Sequence, residues 1–91
     1  MPDVEIRIAD EFVSDAAQIH SDRLYNAVFD ILWELKTIPE LGSRDVPASV
    51  VSRYGGKARK LVVSPFDIFY TYDEGTGLIE VLALVHQRRV R

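Results

Sequence analysis

The segment FDIFYTYDEGTGLIEVLALVHQRRVR, residues 66–91, decides the fold of this chain. It contains two runs dominated by strand-forming residues, 66–72 and 78–86, and the DEGTG segment between them has the composition of a turn. A connection this short makes consecutive strands antiparallel neighbours. A third run, 58–63, precedes them across Ser64-Pro65. The C-terminal half therefore predicts an antiparallel three-stranded sheet.

The N-terminal half predicts one short strand and then a helix. Residues 4–8 alternate apolar and polar side chains, which is typical of a strand with one buried face. Apolar residues then recur at steps of three and four, as they do along one side of an α-helix: Leu24, Val28, Ile31, Leu35 and Ile38. Pro39 disfavours helical geometry at the residue before it, so this helix should end near Thr37.

A shorter helix is expected before this one. The helical spacing also holds at three earlier positions: Phe12, Ala16 and Ile19. Asp22 and Arg23 then interrupt it, and Ser21 or Asp22 would cap the second helix. One long kinked helix is the alternative. Residues 43–52 show no sustained period and should form a loop or a short turn of helix.

Length and composition predict a single folded domain. A chain of 91 residues has room for one hydrophobic core. Apolar residues make up 47% and charged residues 27%, values that exclude a disordered or low-complexity chain. The predicted fold class is therefore α+β over residues 1–91: an N-terminal strand, two helices and then the antiparallel three-stranded sheet.

The sequence gives no signal for a metal, a cofactor or a membrane span. It has no cysteine, and His20 and His86 are too few and too far apart to suggest a zinc site. No apolar run approaches the roughly 20 residues that cross a bilayer. We expect a cytoplasmic protein without metal, cofactor or membrane association.

Charge is unevenly distributed along the chain. Residues 1–42 carry three basic and nine acidic side chains, whereas residues 43–91 carry eight basic and five acidic ones. A basic half can serve an anionic partner, but the net charge of −3 is unusual for a domain that binds nucleic acid by itself. A solvated charged surface is the simpler interpretation.

The turns suggest a strand register and two sheet faces. If Val63 faces Phe66, and Tyr72 faces Leu78, both faces of the sheet are largely apolar. Two helices can cover only one of them, so the other should expose an apolar patch that binds a partner. Phe29 and Trp33, at helical spacing, are expected to be core residues or interface anchors and not platforms for stacking bases.

The same register pairs several charged side chains. Arg59 and Glu80 would flank Tyr70 and form an ion pair, and Lys60 would meet Asp67 diagonally on the other face. His86 is followed by three arginines: Arg88, Arg89 and Arg91. A histidine that titrates near neutrality, together with arginines that hold phosphate, suits phosphodiester chemistry. A histidine at a strand end with a solvated basic tail is the alternative.

Three segments resemble the RelE/ParE superfamily of bacterial toxins: IPELGS after the helix, RKLVVSPFDIFYTYDE, and IEVLALVHQRRVR. The likeness covers residues 23–91. It implies the α+β fold described above and a cognate antitoxin that wraps the toxin in a hetero-oligomer and blocks it. It also implies one of two activities, because RelE-like members cut messenger RNA on the ribosome whereas ParE-like members poison DNA gyrase.

The resemblance assigns roles to individual residues. Arg59 matches the family's strand arginine, and His86 with Arg89 matches its H-x-R-R ending; these three would be catalytic in a RelE-like enzyme. Asp67 stands where the family pattern usually has arginine, and an anion there would repel RNA. This departure favours a ParE-like inhibitor. Its target-binding residues would be four arginines: Arg59, Arg88, Arg89 and Arg91. An inactive toxin-like binding module is a further alternative.

Overall fold

Three helices and four strands make up the chain in the computed structural model, which describes residues 3–89. In chain order they are β1 (Glu5–Ile8), α1 (Asp10–Ala16), α2 (Asp22–Glu34), α3 (Ala48–Tyr54), β2 (Arg59–Val63), β3 (Phe66–Asp73) and β4 (Leu78–His86), followed by a 3-10 turn (Gln87–Arg89). The predicted α+β class and the strand boundaries are confirmed. None of the helices in this part of the chain has the length and hydropathy that a membrane span requires.

The sheet is mixed and has the strand order β1-β4-β3-β2. β2, β3 and β4 form the predicted antiparallel meander. β1 adds a fourth strand by pairing parallel to β4, with Glu5 opposite Leu78 and Ile8 opposite Val81. Parallel neighbours need a long crossover, and here all of the intervening chain supplies it. β1 and β2 are therefore the two edge strands.

Two separate helices form, and the kinked alternative is wrong. α1 ends at Ala16, and α2 begins after Ser21, whose side-chain oxygen accepts the Leu24 backbone N–H at 3.2 Å. This hydrogen bond satisfies one of the free N–H groups of the first helical turn, as predicted for a cap at this position. The regular helix ends at Glu34, and turns continue the chain to Thr37.

The predicted register holds at the first turn and fails at the second. Val63 faces Phe66 as predicted, but Leu78 faces Asp73, one residue beyond the predicted Tyr72. A β-bulge in β4 raises this offset to two residues and so returns the side chains beyond it to their predicted faces, because Tyr70 faces Val81 whereas Phe69 faces Ala83. The sequence pattern could not reveal a bulge whose extra residue, Leu82, is as apolar as its neighbours.

The bulge overturns one predicted ion pair. Val81, and not Glu80, is the neighbour of Tyr70, and Glu80 faces Thr71 on the opposite side of the sheet. Arg59 and Glu80 therefore lie on different faces and cannot flank Tyr70. Beyond the bulge the predicted facing is restored, so His86 lies on the same face as Phe66.

The core lies between α1, α2 and one face of the sheet, here called the helix face. It combines buried side chains from both layers: Phe12, Ala16, Val28, Leu32, Leu35, Leu61, Ile68, Tyr70, Ile79, Val81 and Leu84. Ile6 and Ile8 of β1 pack against it and are half-buried. The hydrophobic face of α2 is thus used as its spacing predicts.

The opposite face, here called the second face, is not open as predicted. α3 forms where the sequence suggested a loop or a short turn of helix, and its Val50 and Tyr54 line one cleft together with Phe69 and Ala83 of the sheet. Phe69 is only 1% exposed. The apolar residues of this segment show no sustained helical period, which explains why the sequence did not predict this cover.

Candidate functional site

His86 lies at the end of β4, half-buried on the helix face. Its imidazole meets the ring of Phe66 edge-on, with centroids 5.6 Å apart. Its Nδ1 accepts the Arg88 backbone N–H at 3.2 Å, so the neutral ring carries its proton on Nε2. The cleft beside it is also lined by Asp15 and Gln18 of the segment around α1. The charged group that the described chain places in this cleft next to His86 is thus a carboxylate and not a cation.

Arg59, at the start of β2, holds the loop that follows α2. Its guanidinium donates to the Gly42 carbonyl at 3.0 Å and lies 3.5 Å from the Glu40 carbonyl, at the limit of a hydrogen bond. The neighbouring Tyr70 hydroxyl donates to the Pro39 carbonyl at 2.9 Å and accepts the Gly42 N–H at 2.8 Å. These contacts form a clasp, defined by Arg59 and Tyr70, around the loop.

The clasp is buried enough to affect the acidity of its tyrosine. Tyr70 is fully buried, and burial raises the pKa of its phenol above the usual value. The Gly42 hydrogen bond and the positive charge of Arg59 oppose this shift and are weaker. The phenol is therefore a neutral structural group at physiological pH.

The structure does not bring Arg59 and His86 together. Arg59 is paired with Tyr70, whereas His86 is paired with Phe66, four residues away along β3. At about 3.3 Å per residue, this spacing separates their backbones by about 13 Å along the sheet. The Arg59 guanidinium is bonded to the Gly42 carbonyl, and the described residues show no hydrogen bond between Arg59 and His86.

Asp67 is buried on the second face and has a neutral partner. It is 6% exposed, and one of its carboxylate oxygens accepts the Gln87 side-chain amide at 3.2 Å. The predicted diagonal ion pair between Lys60 and Asp67 is wrong. Within residues 3–89 the salt bridge that forms joins Arg53 to Glu11 at 3.1 Å. The Asp67 carboxylate, which stands where the resemblance implies an arginine, is thus hydrogen-bonded to the C-terminal turn.

The basic C-terminal residues follow that turn. The Gln87 backbone N–H donates to the Pro65 carbonyl at 2.8 Å, which ties the turn to the connection between β2 and β3. Arg88 is exposed, and Arg89 ends the turn. Arg91 lies outside the described residues. Gln87 therefore lies at the Pro65 end of β3, away from the clasp that contains Arg59.

An apolar groove of about 450 Å³ lies between β1 and α2 and is here called the β1 groove. Six residues line it: Ile6, Ile8, Phe29, Asp30, Leu32 and Trp33. Trp33 is 69% exposed, the highest value among the exposed large apolar residues of the described chain. An apolar groove with an exposed tryptophan is typical of a protein-binding surface.

Comparison with known proteins identifies the fold. The chain superposes on a chain of the RelBE2 toxin–antitoxin complex of Mycobacterium tuberculosis with a TM-score of 0.71 and 15% sequence identity, covering 94% of this chain and 99% of that one. The fold is that of the RelE toxins. A chain of the intact E. coli RelBE toxin–antitoxin complex matches with a TM-score of 0.69 and 10% identity, over 91% and 95% of the two chains. No protein-family model and no curated protein match the sequence.

Sequence reasoning found the RelE-like fold but misplaced its exposed apolar surface. It predicted an open sheet face, whereas α3 lies over the part of that face around Phe69 and Ala83, and the β1 groove lies at the sheet edge next to α2. The available signal was Trp33, which stands outside the apolar stripe of α2 and was recognised only as a core residue or interface anchor. The parallel pairing of β1, which forms the other wall of the groove, has no local signal in the sequence.

Proposed function

We propose that this chain is the toxin of a type II toxin–antitoxin pair, that it inhibits DNA gyrase by protein–protein contact, and that a cognate antitoxin neutralises it in a hetero-oligomer. The observation that supports the toxin role is the RelE fold over nearly the whole length of both chains. The two solved structures compared above are toxin–antitoxin complexes, which supports an antitoxin as the partner.

The preference for gyrase over messenger RNA depends on the site residues. The two residues that a RelE-like enzyme would use together, Arg59 and His86, are about 13 Å apart along the sheet. Arg59 is already bonded to the loop after α2. Asp67 stands where the resemblance implies an arginine, and it is buried on the face opposite Arg59 and His86, so this position supplies no cation to a phosphate site. These features count against a nucleolytic centre and are the support for proposing inhibition by binding.

A supercoiling assay tests this proposal. Purified chain is expected to inhibit gyrase and to leave translating messenger RNA intact. Arg88→Ala, which removes an exposed arginine of the C-terminal turn, should weaken inhibition, and Arg23→Ala provides a control with the same loss of charge on α2. Unimpaired gyrase together with messenger RNA cut at the ribosomal A site would reverse the assignment.

The second candidate is a RelE-like, ribosome-dependent endonuclease, which the identity of both structural neighbours favours. In this function His86 would transfer the proton and Arg89 would stabilise the negative charge on the phosphorus centre. His86→Ala should then abolish cutting on the ribosome without unfolding the protein. Full cutting activity in that variant would remove His86 from the mechanism.

Growth of the host separates both activities from an inactive module. Induced expression without an antitoxin should stop growth under either candidate function, and expression with the product of the adjacent reading frame should restore it. Unchanged growth would indicate a toxin-like fold that serves only as a binding partner.

A further inference from the structure

We infer that the β1 groove accepts an extended, basic segment of the antitoxin as a fifth strand of the sheet, with apolar side chains in the groove and cations beside Asp30. This inference rests on the proposed function only for the identity of the partner. The surface itself is defined by β1 and α2, and it can be tested on the purified chain.

The outer edge of β1 has the backbone groups that strand addition needs. The N–H groups of Glu5 and Ala9 donate toward the β4 side, to the carbonyls of Gly77 and Val81, both at 2.9 Å. Because backbone groups alternate along a strand, those of Ile6 and Ile8 are directed to the opposite, outer edge. β1 is an edge strand, and residues 3–89 place no further strand beside it.

The groove lies next to this edge and offers sites for alternate side chains. Ile6 and Ile8 line it with their side chains, and Phe29, Leu32 and Trp33 of α2 line the other wall. A strand added to β1 would place every second side chain on this side of the sheet. Backbone hydrogen bonds would then supply affinity and the groove would supply selectivity, as in other cases of β-augmentation.

Charge distinguishes a basic segment from the other possible occupants. Asp30 is the charged residue among the six that line the groove, and residues 1–42, which build both of its walls, carry nine acidic and three basic side chains. Lys36 lies over the Trp33 ring, 5.0 Å from its centroid. Within the described chain no ion pair neutralises the Asp30 carboxylate. A second copy of the chain would bring two such acidic surfaces together, and a nucleic acid would meet the same repulsion.

The chain contains its own reporter for this site. Trp33 is the single tryptophan, and it is largely exposed at the groove. The probe is an acetylated and amidated nine-residue peptide in which valine alternates with threonine and arginine replaces the central valine, so that the cation lies on the same side of the strand as the other valines and faces Asp30. Binding is expected to move the Trp33 emission to shorter wavelength, because the indole leaves water. The same peptide with glutamate in place of arginine should bind at least about threefold more weakly.

Matched variants and peptides test charge and strand addition separately. Asp30→Asn should weaken binding of the arginine peptide about two- to fivefold, whereas Asp45→Asn, with the same charge change on an exposed residue near the other sheet edge, should not. N-methylation of alternate peptide residues removes every second N–H donor. One methylation phase should abolish binding and the other should leave it intact, since only one phase faces β1.

Three outcomes would overturn the inference: equal binding of both methylated peptides, equal effects of Asp30→Asn and Asp45→Asn, or a blue shift that depends on protein concentration without any peptide. The last would assign the groove to a second copy. None of these results bears on toxicity, which the growth assay measures separately. Conversely, a chain that fails to stop growth can still bind the peptide, so failure of the proposed function and failure of the groove are distinguishable.

Discussion

The two edge strands of the sheet differ in whether their outward backbone N–H and C=O groups are hydrogen-bonded within the chain. At the β2 edge, Ser43 forms an isolated bridge with Lys60, with N–H to carbonyl distances of 2.9 and 2.8 Å, and the Arg59–Tyr70 clasp holds the adjoining loop. At the β1 edge, the outward backbone groups of Ile6 and Ile8 lie beside an apolar groove. The β2 edge is occupied by the chain at Lys60 and is here called the closed edge, whereas the β1 edge is available to another polypeptide.

This difference shows that the net charge of a segment does not predict where a partner binds. The segment 43–63 carries five of the cations, yet Arg44 donates to the Gly56 carbonyl, Arg53 pairs with Glu11 and Arg59 belongs to the clasp. Much of the basic half is thus used for internal contacts. The acidic half builds the surface that remains open.

The largest effect among the variants at the closed edge is expected from Gly42→Ala. A Cβ atom at Gly42 would lie 2.7 Å from Cε1 and 2.8 Å from the hydroxyl of Tyr70, and 3.0 Å from the Lys60 carbonyl. Because Tyr70 is fully buried, its ring cannot move away, and overpacking of this kind lowers the free energy of unfolding by about 1 to 3 kcal/mol. Urea denaturation measures the loss.

Gly56→Ala is the control for this substitution. A Cβ atom there would meet no heavy atom within 4 Å, and Gly56 has no positive φ, so the variant should be as stable as the native chain or slightly more stable. Equal stability of the two alanine variants would mean that the loop after α2 is not held against Tyr70, and the closed edge would lose its basis.

A smaller effect is expected from Tyr70→Phe, which removes the hydroxyl of the clasp. The Gly42 N–H and the Pro39 carbonyl both lose their partner, and a buried polar group left unpaired costs about 1 to 3 kcal/mol. The free energy of unfolding at neutral pH should fall by an amount near the lower end of this range, because the loop can admit water.

The same substitution should change the alkaline stability profile. Burial raises the pKa of Tyr70 in the folded state, so above about pH 10 the unfolded chain loses this proton while the folded chain keeps it. Native stability therefore falls as the pH rises from about 10 toward the folded pKa, and Tyr70 contributes nothing to the slope below that window. Tyr70→Phe should show a flatter decline between pH 9 and 11 in urea titrations. Parallel curves for the two proteins would contradict a buried neutral phenol.

The sequence predicted those features of the fold that repeat along the chain, and missed those that single contacts decide. Apolar spacing located α2, alternating residues and turn composition located β2, β3 and β4, and Ser21 marked the helix start. The bulge opposite Phe69 and Tyr70 left no trace, because every residue of β4 near it is compatible with either face. A change of one residue in register moved Glu80 away from Arg59 and removed a predicted ion pair.

The same limit applies to the candidate site: the sequence suggested its residue types but not the distances between them. Residue types alone suggested His86 and the arginines that follow it, but only the register shows that Arg59 lies at the other end of the sheet. The groove depends on the parallel pairing of β1 with β4, a contact between residues more than seventy positions apart in the chain. No local pattern encodes such a pairing, so the sequence could name Trp33 as an anchor without locating its surface.

The smallest effect on stability is expected at the open edge, from Trp33→Ser. Trp33 is 69% exposed, and its contact with Lys36 is a solvated cation–π pair, so its loss should cost less than about 1 kcal/mol. Leu32→Ser, one residue earlier on α2 and only 3% exposed, should instead cost several kcal/mol, roughly 3 or more, because it creates a cavity and buries a hydroxyl. Urea midpoints of the two variants make the comparison directly. If Trp33→Ser were as destabilising as Leu32→Ser, the tryptophan would be part of the core, and the open edge would have no anchor left for a partner. If instead Trp33→Ser retains the stability of the native chain while antitoxin binding weakens, the apolar surface of α2 serves association and not folding.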